Sequence, residues 1–154
     1  MTATVAPWLT APLGAFVREA RVSLAVALEP SGRVLAQHGF TRSLDVMAIC
    51  SLVSAIHASG SELGRQLNGA AFGPLHHGGV GRQVFIAPAR TRTGTVLLLA
   101  VFDDRTSLGI VRHFHAAFAR AVLDVSAEEA RVEPVAGDFE RELGRNLAVL
   151  FGRA

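Results

Sequence analysis

Seven consecutive apolar residues, Val96 to Phe102, stop abruptly at Asp103-Asp104-Arg105. Thr106-Ser107 then opens a segment whose apolar residues recur at helical spacing. A strand with one wet face alternates apolar and polar positions, so a strand apolar at every position is covered on both faces. The run therefore predicts a central, buried strand that feeds a helix through a short charged turn. No nucleophile, metal-ligand set or phosphate loop stands at this junction, which points to a binding module and away from an enzyme.

The flanking segments extend that plan. Thr10 with Pro12 marks a helix start, followed by the stripe Leu13, Phe16, Val17 and Ala20. Val22, Leu24, Val26 and Leu28 alternate with smaller residues as in a strand, Pro30-Ser31-Gly32 turns, and Arg33 to His38 returns, giving a hairpin. Ser43 and Asp45 start a long second helix that runs to about Leu67 and stops at Asn68-Gly69. Two short strands, Ala71 to His76 and Arg82 to Ala87, flank the glycine-rich His77-Gly78-Gly79-Val80-Gly81. The helix after the central strand carries Leu108, Val111, Phe114, His115, Phe118 and Val122 on one face. The expected organisation is an α+β domain over 1–125, a polar linker over 126–137 and an amphipathic helix over 138–154, with an antiparallel sheet between helices on both faces.

Composition removes several function classes. The 154 residues carry a formal net charge of only +2, and every basic residue is arginine, scattered along the chain. Tyrosine is absent and Trp8 is the only tryptophan, so neither a basic patch nor stacking platforms support nucleic-acid binding. A single cysteine, Cys50, forbids an internal disulfide and fits a reducing, cytoplasmic setting. The N-terminus lacks the pattern of a signal peptide. The longest apolar run falls well short of the roughly 20 residues of a membrane span, so a cytoplasmic protein with no membrane span is expected.

Candidate chemistry is sparse. Gly78-Gly79-Val80-Gly81-Arg82 lacks the Gly-Lys-Ser/Thr ending of a phosphate loop and precedes a strand, so a tight turn is expected. His76 and His77 point to opposite faces of a strand, and His113 and His115 do not share a helix face. No metal and no cofactor are expected from them. Asp103-Asp104 suits the positive N-terminus of the following helix, and Cys50 has no activating partner.

The second helix is more informative. At 100° per residue, Ile49, Leu52, Val53, Ile56, Gly60, Leu63 and Leu67 share one arc and are expected to pack on the sheet. The remaining surface (Cys50, Ser51, Ser54, Ala55, His57, Ala58, Ser59, Ser61, Glu62) is mostly Ser and Ala. Small residues allow another backbone to approach, so this face is expected to make a protein contact. The final helix, with Phe139, Leu143, Leu147, Leu150 and Phe151, must bury its stripe on its own domain or on a partner.

Three motifs carry a family resemblance: the hairpin Val26-Ala27-Leu28-Glu29-Pro30-Ser31-Gly32-Arg33-Val34-Leu35-Ala36-Gln37-His38-Gly39, the Ser43-Leu44-Asp45 helix start, and Phe102-Asp103 followed by Ser107-Leu108-Gly109-x-Val111-Arg112. Together they resemble the roadblock/dynein light-chain domains of the gliding-motility B (MglB) type, over roughly 22–125. Phe72-Gly73-Pro74-Leu75-His76-His77-Gly78 is similar to that family's third strand. The resemblance implies a roadblock/profilin-like fold, with five antiparallel strands and helices on both faces. It further implies a homodimer built from paired second helices and third strands, which binds a small Ras-like GTPase and stimulates its GTP hydrolysis in polarity or motility control. Such a regulator supplies no arginine finger and no catalytic residue; it rearranges the GTPase. Carried over, Ser51, Ser54, Ala55, His57, Ala58, Ser61 and Glu62 become the dimer and GTPase contacts, with Leu147, Leu150 and Phe151 from the last helix. The complete loss of lysine and the His113-Phe114-His115 sequence depart from the family pattern. A non-catalytic dimeric scaffold and a small-ligand sensor are the alternatives.

Overall fold

The computed structural model describes residues 2–39, 42, 44–132 and 145. In chain order they form β1 (Thr2–Thr4), a short 3-10 helix (Pro7–Leu9), α1 (Thr10–Ala20), β2 (Leu24–Leu28), β3 (Val34–Gly39) and α2 (Val46–Asn68). There follow β4 (Leu75–Gly78), β5 (Gln83–Arg90), β6 (Thr95–Phe102) and α3 (Leu108–Val132). The strands make one antiparallel sheet in the order β1-β3-β2-β6-β5-β4.

The apolar run sits in the middle of that sheet, between β2 and β5 along its length. Its side chains alternate between two cores. Val96, Leu98, Ala100 and Phe102 join α1 and α3 on one face, while Leu97 and Leu99 join Cys50 and Val53 of α2 on the other. Leu97, Leu98 and Phe102 are wholly buried, and each such side chain contributes about 1.5–3 kcal/mol by leaving water. β2 shows the same logic, with all five residues buried.

The turn after β6 is built differently from expectation. Asp103 does not serve the helix N-terminus; its Oδ1 accepts from the Arg105 amide and from Arg105 Nε, both at 3.0 Å. The α3 start is instead satisfied by Ser107, whose Oγ accepts from the Ile110 amide at 3.3 Å. Val111, Phe118 and Val122 are buried against α1 and the sheet, and Leu108 and Phe114 pack beside them, as the spacing requires.

Further boundaries differ. The expected five-stranded sheet is present, with β1 as an additional edge strand bonded to β3. The segment 71–74 is not strand: it is exposed, and Pro74 has no amide to give to a ladder. The expected linker starts too early, because α3 continues through 126–132. The sequence there, Ala127-Glu128-Glu129-Ala130-Arg131, consists of strong helix formers. Ser126 ties that end down: its Oγ accepts from the Arg92 amide at 3.1 Å and donates to the Leu123 carbonyl at 3.0 Å. The expected helix over 138–154 lies outside the described residues, apart from Arg145.

Candidate functional site

α2 is assembled by strong local signals. Asp45 caps it by accepting from the Ala48 amide at 3.0 Å, and Gly69 ends it in the left-handed conformation at φ 72°. By length and composition it is apolar enough to cross a membrane, with a mean hydropathy of 1.4, yet few of its residues are buried. Here one narrow line of the helix lies on the sheet.

That line shares Ile49, Val53 and Gly60 with the expected arc but departs from it at the other positions. Cys50, Val53, Ser61 and Gly64 are buried, and Val46, Ile49, Ser54, His57 and Gly60 are half-buried beside them. Leu52, Leu63 and Leu67, expected against the sheet, are 64%, 52% and 67% exposed, and Ile56 is exposed as well. The helix is rolled so that Cys50 and Val53 meet the sheet while its small residues meet the neighbouring turn and the segment before β4. The physical reason lies in close approach. Gly64 lies against the backbone of 70–72, and Gly32, in the β2–β3 turn, lies against Cys50, Ser51 and Ser54. Ser54 Oγ donates to the Pro30 carbonyl on the same turn. Bulky leucines could not occupy these positions.

The proposed contact residues consequently divide. Ser51, Ala55, Ala58 and Glu62 are exposed, Ser54 and His57 are half-buried, and Ser61 is buried. Glu62 is engaged along its own helix, pairing with Arg65 and accepting from Gln66. Cys50, counted with the outer surface from sequence, is fully buried, and burial pushes its thiol pKa up to about 11. Leu147, Leu150 and Phe151 lie outside the described residues.

The roll leaves Val84 and Val101 on this sheet face only half-buried, while Ile86 and Leu99 between them are covered. Leu44, Ile49, Leu52 and Ile56 overhang Val84, Ile86, Leu99 and Val101, enclosing an open trough of about 360 Å³ with His77 and Arg82 at its margin. A second hollow of about 370 Å³ continues it between His57, Gly60 and Ser61 on the helix and Phe72 to Leu75. Beside them, among the described residues, β4 pairs only with β5, so its outer edge keeps unpaired amides and carbonyls there. An exposed apolar helix flank, an open apolar trough and an open strand edge thus adjoin. Sequence periodicity identified the leucine flank but assigned it to the interior; the cue available was that α2 is apolar on two arcs, where an ordinary surface helix has one.

His76 and His77 point to opposite faces: His76 stacks on Phe102 and meets Gln83 Oε1 at 2.8 Å, while His77 borders the trough. Among the described residues no three His, Cys, Asp or Glu side chains converge as metal ligands.

This architecture has solved counterparts. MglB from Myxococcus xanthus superposes with a TM-score of 0.71 at 20% identity, covering 79% of this chain and 97% of that one. The gliding protein MglB from Thermus thermophilus gives 0.69 at 22% identity, covering 79% and 90%. The chain has the roadblock fold. A roadblock/LC7 domain from Streptomyces avermitilis shares it, with a TM-score of 0.62 at 18% identity and coverage of 78% and 95%. No protein-family model and no curated protein matches the sequence. In roadblock terms, the described part of the chain is the sheet with its three helices, and 79% of the chain is spanned by the MglB likeness.

Proposed function

We propose that this roadblock protein is a cytoplasmic homodimer that binds a small Ras-like GTPase and stimulates its GTP hydrolysis, in control of polarity or motility. The observation that carries the reading is the exposed leucine flank of α2, bordering an open apolar trough beside the open β4 edge. A second copy fits that surface best, because β4 pairing across a two-fold axis supplies the missing ladder bonds while the partner's helix fills the trough. The exposed polar face of α2, with Ser51, Ala55, Ala58 and Glu62, then faces away from the sheet and is available to the GTPase. The resemblance to the MglB type supplies the activity. The chain acts by binding two states of the GTPase with different strength, contributing no catalytic group of its own.

Two measurements test this. Sedimentation of the full chain is expected to give a dimer; a strict monomer at high concentration would reject the assembly. Phosphate release by a Ras-like GTPase encoded beside this protein is expected to accelerate on mixing. Binding with unchanged turnover would replace the activator by a scaffold, and recruitment to lipid vesicles in place of dimerisation would assign the leucine flank to a membrane surface.

A further inference from the structure

At the end of the sheet where β6 runs into α3, three turns surround a cleft of about 960 Å³. Arg21, Val22 and Ser23 come from the α1–β2 turn, Gly81 and Arg82 from the β4–β5 turn, and Asp103 and Arg105 from the turn after β6. The volume lies within the roughly 300–1,000 Å³ typical of small-ligand sites. Three exposed arginines therefore line the cleft, one from each of three separate turns. Among the described residues, Arg21 and Arg82 have no carboxylate partner. Arg105 is held in a fork by Asp103, through Nε and Nη2 at 3.0 to 3.1 Å, which leaves Nη1 open. The single acidic lining residue, Asp103, is thus already engaged, although Asp104 in the same turn offsets part of the positive charge.

The backbone at Arg21 adds an independent observation. It is the only non-glycine residue with positive φ among the described residues, at φ 56° and ψ 39°, and it follows the last turn of α1. Glycine is the residue that suits this position, since a Cβ disfavours the left-handed region. A long cationic side chain stands where the backbone favours none, and it points to work done by the side chain.

The geometry points to a binding site for a small anion bearing two or more phosphates, of pyrophosphate or nucleotide type. Planar guanidinium groups match phosphoryl oxygens two at a time, and the open cleft between three turns has room for a compact ligand. This cleft lies apart from the polar face of α2 and goes beyond the GTPase reading; Arg82 alone borders both the cleft and the leucine trough.

The test is calorimetric titration of the full chain, at low ionic strength, with pyrophosphate, ATP, inorganic phosphate and hexaglutamate. Pyrophosphate and ATP are expected to bind saturably at one site per chain and more tightly than phosphate; ATP exceeding pyrophosphate adds a base subsite. Arg21→Gly and Arg82→Gln are each expected to weaken pyrophosphate about tenfold, the loss of one charge-assisted contact. The thermal midpoint of the ligand-free Arg21→Gly protein is expected to hold or rise, which separates lost binding from lost folding. No saturable binding, or binding indifferent to both substitutions, overturns the proposal. Hexaglutamate binding more tightly than pyrophosphate also overturns it and gives the cleft to an acidic protein segment. Activation of the GTPase by Arg21→Gly is expected to be unchanged, so the two readings fail separately.

Discussion

A Cβ placed on Gly64 would lie 2.5 Å from the Phe72 backbone nitrogen and 2.7 Å from the Ala70 carbonyl oxygen. The approach of the C-terminal half of α2 to the segment leading into β4 thus leaves no room for a side chain at position 64. Gly64→Ala forces backbone to move against backbone and is expected to cost about 1–3 kcal/mol, as overpacking does. Gly60→Ala on the same helix meets nothing within 4 Å and is expected to stabilise the domain by up to about 1 kcal/mol through helix propensity. Urea denaturation of the two variants checks the contrast.

His115 supplies a pH dependence. Its ring stands edge-on to Phe85 with centroids 5.5 Å apart, and its buried Nε2 has no hydrogen-bond partner. Burial holds its pKa below the ordinary 6.5, only partly offset by a bond with the Pro88 backbone. The unfolded chain therefore takes up this proton at a higher pH than the native one. The stability contribution is complete above pH 6.5, declines as pH falls from there, and is gone once the folded pKa has been passed. Denaturation at about pH 7.5 and about pH 5.5 is expected to show this loss in the natural chain and a smaller one in His115→Leu.

Leu63→Glu places a carboxylate on the exposed flank of α2. Because Leu63 is half in solvent already, the change is expected to leave the circular dichroism of the fold intact while shifting sedimentation to the monomer. Ala58→Arg, on the outer side of the helix, is expected to spare assembly and abolish GTPase binding. Intact binding by Ala58→Arg would remove that face from the partner contact.

Cys50 is expected to be inert in the native protein. With the thiol wholly buried and its pKa pushed up to about 11, almost no thiolate exists at about pH 8. Modification by a thiol reagent should proceed at the rate of unfolding and become immediate in denaturant. Fast labelling of the folded chain would contradict the buried line on which α2 is seated.

Where one physical signal dominated, the fold could be read before the structure. β6 and the buried face of α3 belong to this group, since a run apolar at every position and a stripe from Leu108 to Val122 each admit one environment. α2 was ambiguous for a definite reason. Its Leu52–Ile56–Leu63–Leu67 flank is the more apolar arc, but the Cys50–Val53–Ser61–Gly64 line is the buried one, with Cys50 and Val53 on the sheet and Gly64 against the backbone of 70–72. Periodicity measures hydrophobicity and is silent on approach distance. β1 could not be read because Thr-Ala-Thr has no pattern of its own and is a strand only through pairing with β3. The cleft of Arg21, Arg82 and Arg105 was hidden because its members are distant in sequence and meet only when the sheet brings three turns together.

The leucine flank of α2 has a consequence for cellular dosage. On the reading proposed above, a lone subunit presents the same apolar surface to every chaperone and protease it meets, and pairing conceals it. Folded lifetime then rises with the concentration of the protein itself. Synthesis below the level needed for pairing would yield rapid turnover in place of proportionately fewer active molecules, so the response of a cell to this regulator would have a threshold set by subunit encounter.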